Sequence, residues 1–362
     1  MAVGGEMLTS ALAGIAFVGC AIAGAAPAAA GAGSASAPGH GRRREVVVAG
    51  KRVRTVDIHA HCVVPEAAVM IGHPPEAPGL LWSNLVDRIA EMDAEGIDVE
   101  ALSINPYWYR AERDRAAELI KIQNEKLAEF CADMPDRFVA FATVALQHPA
   151  LAVEQLVYAV RGLGLRGVSV GGSVAGQELA DPKFHPVWAK VEELGLLVFL
   201  HPLGTQELEP SGRLGGSGFL TNTIGNPLEI TIALSHLIFE GTLDRFPGLK
   251  ICAAHGGGYL PSYAGRSDAV ITAFPNRVGT LPKKKPTEYL KQLYFDSIVF
   301  TAEGLRHLIA ETGPGQVVIG TDYPFPWNRV PIDHILSTPG LSDEDRIAIL
   351  GGTAAKLLGI ES

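Results

Sequence analysis

The chain has 362 residues, 47% hydrophobic and 19% charged, with a formal net charge of −9 at pH 7. That length and apolar content suit two ordinary domains or one large α/β barrel, and the acidic balance without a basic tract in the main body argues against a nucleic-acid partner. Four scattered cysteines (Cys20, Cys62, Cys131, Cys252) with no CxxC pair exclude a disulfide scaffold and read as reduced, buried thiols.

The first 45 residues differ in kind from the rest. Residues 7–30 carry no charge and are dominated by Ala and Gly, and a small-residue linker then leads to Arg42, Arg43 and Arg44. The pattern reads as an export leader with Ala-x-Ala sites near Ala28 and Ala37, although its first six residues hold no Lys or Arg. An uncleaved anchor and a disordered tail are the other readings. The arginines that follow the apolar stretch would keep the main body of an anchored chain cytoplasmic. Residues 1–45 are therefore set apart as leader and linker, and 46–362 as the folded body. That body is exported or periplasmic if the leader is cleaved and cytoplasmic otherwise, with no stable membrane association unless the leader is retained.

From Val46 onward, strand-like and helix-like stretches alternate. A short apolar strand at 55–61 is followed by a helical pattern at 83–96 that stops at Gly96. Strand 96–104 precedes helix 112–134, strand 137–146 precedes helix 149–164, and strand 165–172 precedes helix 185–195. Strand 195–202 then leads to helix 226–246, and further strands fall at 249–257, 293–300 and 316–324. Helices at 301–313 and 342–359 complete the series, and Asp181-Pro182 and Ser342–Asp345 have the composition of helix starts. Most of the strands are continuous apolar runs, as parallel strands buried on both faces must be. Eight such strands over about 310 residues predict a (β/α)8 TIM barrel. A doubly wound open sheet is the alternative, and no GxGxxG follows a strand to favour it.

In such a barrel, chemistry collects at the C-terminal strand ends. His59 and His61 close the first strand, and period-two alternation puts both on one face with Asp57. The fifth strand ends at His201, the sixth at His255 and the eighth at Asp322. Singly, each reads as an ordinary polar residue near a strand end. Together they assemble imidazoles and a carboxylate at four equivalent positions, the donor mixture of zinc or a related divalent ion. His236, on a mainly apolar helix, reads as a core residue rather than a ligand.

The segments DIHAH, LHP, AAHGGGYLPSYAGR and GTDYPFP, in this order, resemble the 2-amino-3-carboxymuconate-6-semialdehyde decarboxylase-like branch of the amidohydrolase superfamily, across residues 54–360. The resemblance implies a metal-dependent decarboxylase. One divalent metal, Zn2+ first and Mn2+ second, would be bound by His59, His61, His201 and Asp322, with a fifth position left open. His255 would be the acid/base, and Asp322 would serve as both ligand and proton acceptor. Arg266 matches an arginine that reaches the neighbouring subunit's site, which implies a homodimer acting on a small carboxylate.

The loop after the first strand contains no arginine where that family carries one, so Arg110 or Arg113, after the second strand, is the candidate replacement. The residues 221–229 also lack the family's tryptophan. The expected substrate is therefore an aromatic or dienoic carboxylic acid rather than the muconate semialdehyde itself. The same donor set also serves hydrolysis of an amide, ester or lactone, and the leader keeps open an exported, non-enzymatic metal- or solute-binding role.

Overall fold

The computed structural model describes residues 43–205, 208, 211–215, 218–277, 279 and 281–361, so all but the last three residues of the segment expected as leader and linker, 1–45, lie outside the described residues. Among those described, no helix is long and apolar enough to cross a membrane.

All eight expected strands form: β1 (Val56–His61), β2 (Val99–Ser103), β3 (Phe138–Ala140), β4 (Gly167–Gly171), β5 (Leu197–His201), β6 (Lys250–Ala253), β7 (Tyr294–Asp296) and β8 (Val317–Val318). Every pairing between them is parallel, in the order β1-β2-β3 and β4-β5-β6-β7-β8. Parallel bridges Ala142↔Val168 and Ala60↔Tyr323 join the two sheets at both seams. The ring is therefore closed, and an open doubly wound sheet is excluded.

Two apolar layers hold it. Val56, Ile58, Val99, Phe141, Leu197, Phe199 and Cys252 fill the barrel interior, and Ala354, Ala355 and Leu358 of the last helix close its floor. The larger layer lies between strands and helices, where Leu119, Leu127, Val187, Trp188, Leu234 and Leu305 pack against the outward faces of the strands. Each such side chain contributes about 1.5–3 kcal/mol on burial, and parallel strands covered on both faces leave no polar alternation, which is why their sequences read as continuous apolar runs.

The helices follow the sequence pattern with local exceptions. Leu85–Glu95 (α1) ends on Gly96, which takes the left-handed conformation at φ 87°. Asp181 accepts a hydrogen bond from the Lys183 amide at the head of a short 3-10 turn, and Ser342 accepts one from the Asp345 amide. The long helix expected over 226–246 divides into Asn226–Phe239 (α2) and Thr242–Arg245, with Gly241 at φ 76° between them. Leu260–Ala273 (α3) was not apparent as a helix in the sequence. His236 is a correction: its side chain is partly exposed and pairs with Glu240 and Glu178 instead of sitting in the core. Cys62, Cys131 and Cys252 are free thiols.

The chain enters the barrel floor at Arg43. The Arg43 and Arg52 guanidiniums both pair with Asp98, just ahead of β2, while Arg44 pairs with Asp333 and its amide donates to the Asp93 carbonyl near the end of α1.

Candidate metal centre

β1 delivers the first two histidines through an irregularity. Its register against β2 slips between Asp57 and Ala60, which breaks the simple alternation expected from the sequence. Asp57 therefore does not join the histidines. Its carboxylate accepts bonds from the His59 amide at 2.9 Å, and from the Thr321 amide and hydroxyl at 3.1 and 2.6 Å, bracing β1 against the end of β8. Burial and the neighbouring Glu100 push Asp57 up to about 7.

His59, His61, His201 and Asp322 converge at the C-terminal end of the barrel, all buried, with one potential donor atom from each lying within 4.8 Å of the others. His59 Nε2 is 3.0 Å from His61 Nε2, and both are 3.1 Å from Asp322 Oδ1. The His201 ring centroid is 4.5 Å from that of His61 and 5.0 Å from that of His59. Three imidazoles and a carboxylate packed this closely form a divalent-metal site, because burying such groups together is costly unless a cation compensates. Burial, helped by the other histidines, holds His201 well below its ordinary range, and burial lowers His61 too. Both are therefore neutral imidazoles with a lone pair to donate. At His59 burial opposes the charge, yet Asp322 and Asp296 outweigh it and raise the group to about 10. Burial also works against the Asp322 carboxylate, but His59, His255 and His61 hold it well below the usual range.

The surrounding contacts aim these donors. Asp296, at the end of β7, accepts from His59 Nδ1 at 2.6 Å and from the backbone amides of His255 and Gly256 at 2.9 and 2.8 Å. Ser103, at the end of β2, lies 3.0 Å from His61 Nδ1. With Nδ1 so engaged, each of these histidines presents Nε2 to the centre. Trp327 Nε1 donates to Asp322 Oδ2 at 2.6 Å. None of these three stood out in the sequence. Asp296 alone left a signal, a carboxylate at a C-terminal strand end like the other site residues.

His255 stands beside the cage with its Nε2 3.7 Å from Asp322 Oδ2 and its side chain 13% exposed. Both His255 and Asp322 have positive φ, 55° and 63°, which non-glycine residues rarely adopt and which clusters at working sites. The three glycines after His255 all have positive φ, and the last has no alternative, since a Cβ on Gly258 would lie 2.1 Å from the Pro227 carbonyl oxygen. The three arginines considered as carboxylate grips are all exposed, Arg266 on α3, Arg110 in the loop after β2 and Arg113 at the start of the helix that follows it.

A closed (β/α)8 barrel with an HxH pair on β1, a histidine on β5 and an aspartate after β8 defines a metal-dependent enzyme. The chain matches the amidohydrolase family over residues 56–360 and belongs to it. It is 32% identical over 277 residues to 2-amino-3-carboxymuconate-6-semialdehyde decarboxylase of Dictyostelium discoideum, covering 76% of each chain. It is 30% identical over 329 residues to gamma-resorcylate decarboxylase of a Rhizobium species, covering 84% of this chain and 97% of the relative. Among solved structures, 2,6-dihydroxybenzoate decarboxylase in complex with 2,6-dihydroxybenzoate superposes with a TM-score of 0.71 at 27% identity, over 84% of this chain and 99% of that one. A dihydroxybenzoic acid decarboxylase from Polaromonas, with bound manganese and 2-nitroresorcinol, gives 0.70 at 25% identity, over 84% and 97%.

Proposed function

We propose that this enzyme is a metal-dependent carboxy-lyase that removes CO2 without oxidation from a small aromatic or dienoic carboxylic acid. The observation that carries this reading is the placement of His255, partly exposed and 3.7 Å from Asp322, at the rim of the buried cage. The decarboxylase relatives support it.

His59, His61, His201 and Asp322 would hold the ion, which when bound polarises the substrate's oxygens as a Lewis acid. Three imidazoles and one carboxylate suit Zn2+. Mn2+, which the Polaromonas structure holds, competes for the same donors. His255 holds a proton at Nε2 and delivers it to the ring carbon that bears the carboxylate. The C–C bond then breaks, its electron pair restores conjugation, and CO2 leaves with the new C–H bond in place. Asp322 Oδ2, fixed by Trp327, orients the His255 imidazole and stabilises its protonated form, and His255, partly exposed, regains the proton it has given from solvent before the next turnover. The substrate carboxylate also needs a cation, and Arg266, carried on the outer helix α3, would supply it to a neighbouring subunit in a homodimer, with Arg110 as the candidate from the same chain.

The test is a screen of aromatic and muconic acids with CO2 detection, run on wild type and His255→Ala. Turnover should fall by about 10²–10⁴-fold in the variant while metal content stays at wild-type level. Release of amide, ester or lactone hydrolysis products without CO2 would replace this reading with hydrolysis. Arg266→Ala should raise KM for the carboxylate far more than it changes kcat. A monomer by analytical ultracentrifugation, with KM unaffected by the substitution, would remove Arg266 from the site.

A further inference from the structure

The two oxygens of Asp322 keep different company. Oδ1 lies 3.1 Å from both His59 Nε2 and His61 Nε2, among the donors of the cage. Oδ2 accepts the 2.6 Å bond from Trp327 Nε1 and lies 3.7 Å from His255 Nε2. The backbone beneath this side chain is fixed to β1. The Asp322 amide donates to the His59 carbonyl at 2.8 Å, and the His61 amide donates to the Tyr323 carbonyl at 2.8 Å. The carboxylate itself has no such constraint, because the terminal torsion of an aspartate is broad and twofold rather than staggered. A carboxylate can hold a divalent ion through one oxygen or through both. Which of the two occurs depends on what restrains the second oxygen.

Trp327 supplies that restraint. An indole Nε1 only donates, and its bond to a carboxylate is charge-assisted, about twice as strong as a neutral one. His255 Nε2, at 3.7 Å, holds Oδ2 more loosely. The indole is itself braced, since its ring lies over that of Phe325 with centroids 5.6 Å apart and planes 15° from parallel. The Phe325 amide donates to the Asp322 carbonyl at 2.9 Å, and Asn328 Nδ2 returns to the Gly320 carbonyl at 2.9 Å. Residues 320–328 thus close on themselves and carry both the carboxylate and the donor that restrains it.

We propose that Trp327 is a positioning residue whose N–H holds Asp322 Oδ2 off the ion, so that the aspartate ligates through Oδ1 alone and a coordination position stays open to the substrate. This rests on the metal centre of the carboxy-lyase reading and assigns to one indole the task of keeping that centre accessible.

The experiment loads Co2+ into wild type, into Trp327→Phe, and into protein carrying benzothienylalanine at position 327, which exchanges the N–H for sulfur and keeps the ring shape. Visible absorption reports how many ligands surround the ion, and titration with azide reports the open position. Both altered proteins should hold as much Co2+ as wild type, with the weaker, shifted bands of a more highly coordinated ion. Their affinity for azide should fall about tenfold or more. The isostere serves if Trp327→Phe misfolds by circular dichroism. A wild-type spectrum and azide affinity in the isostere would overturn the proposal, even if Trp327→Phe differs, because packing and not the N–H would then be responsible. Loss of Co2+ from the isostere would also overturn it, since Trp327 would then support the ion as a whole. Wild type that takes up no Co2+ would remove the metal centre and this role together. CO2 release, measured on the same samples, separates the readings: the expected spectra without CO2 would keep Trp327 in its role and count against decarboxylation alone.

Discussion

His59 and His255 share one carboxylate. Asp296 accepts from the His59 ring and from the His255 amide, so a single side chain sets both a metal donor and the backbone that carries the proton-moving imidazole. Outer contacts of this kind typically cost 10–100-fold in metal affinity when removed, and Asp296→Ala should weaken metal binding by about that factor in a chelator-competition titration. His59→Ala, which deletes a donor outright, should leave the protein without bound metal by elemental analysis. The donors were readable in the sequence because each ends a strand in a residue type that ligates metals. Ser103 and Trp327 were not, since a serine or tryptophan matters here only through the neighbour that folding brings to it. Asp57 misled for a related reason, because strict alternation does not survive the register slip in β1.

Between the elements, Arg88 of α1 locks β1 in place. Its guanidinium is buried, with Nε donating to Glu100 at 2.6 Å, Nη1 to the His61 carbonyl at 2.8 Å, and its carbon 4.4 Å from the centre of the Tyr323 ring. Removing one partner of such a pair strands the other charge, so Arg88→Ala should destabilise the fold by about 3–5 kcal/mol in denaturant unfolding. Arg88→Met combined with Glu100→Met should recover much of that loss. Gly258→Ala belongs to the same scale: with φ 64° and a carbonyl 2.1 Å from the new Cβ, the β6–α3 turn cannot close, and soluble yield should collapse. All eight strands were legible because parallel strands buried on both faces announce themselves as apolar runs. α3 was not, because it follows a glycine turn and exposes Tyr263 and Val270 in place of a polar stripe.

At the level of the whole molecule, stability should depend on pH and metal in opposite ways. Burial and the nearby Glu91 raise Glu95 to about 8 from an ordinary value of 4.5. The folded protein then holds a proton that the unfolded chain gives up, so this contribution is full below pH 4.5 and is lost as pH rises through 8. Glu95→Gln should flatten the decline in Tm between about pH 5 and 8, and an unchanged slope would show that Glu95 ionises normally. Chelation should lower Tm, on the order of 5–10 °C for an ion present at about a thousand times its Kd, and restoring Zn2+ or Mn2+ should reverse it.

The paired Arg43 and Arg44 carry a further consequence. They fasten the chain beside the start of β2 and the end of α1, on the floor opposite the catalytic mouth. Anything joined directly ahead of Arg43, whether a fusion partner or a resin, therefore pulls on the floor of the barrel. A chain begun at residue 43 and immobilised through that end would stand with its opening toward bulk solution, where a diffusing carboxylate meets it unobstructed.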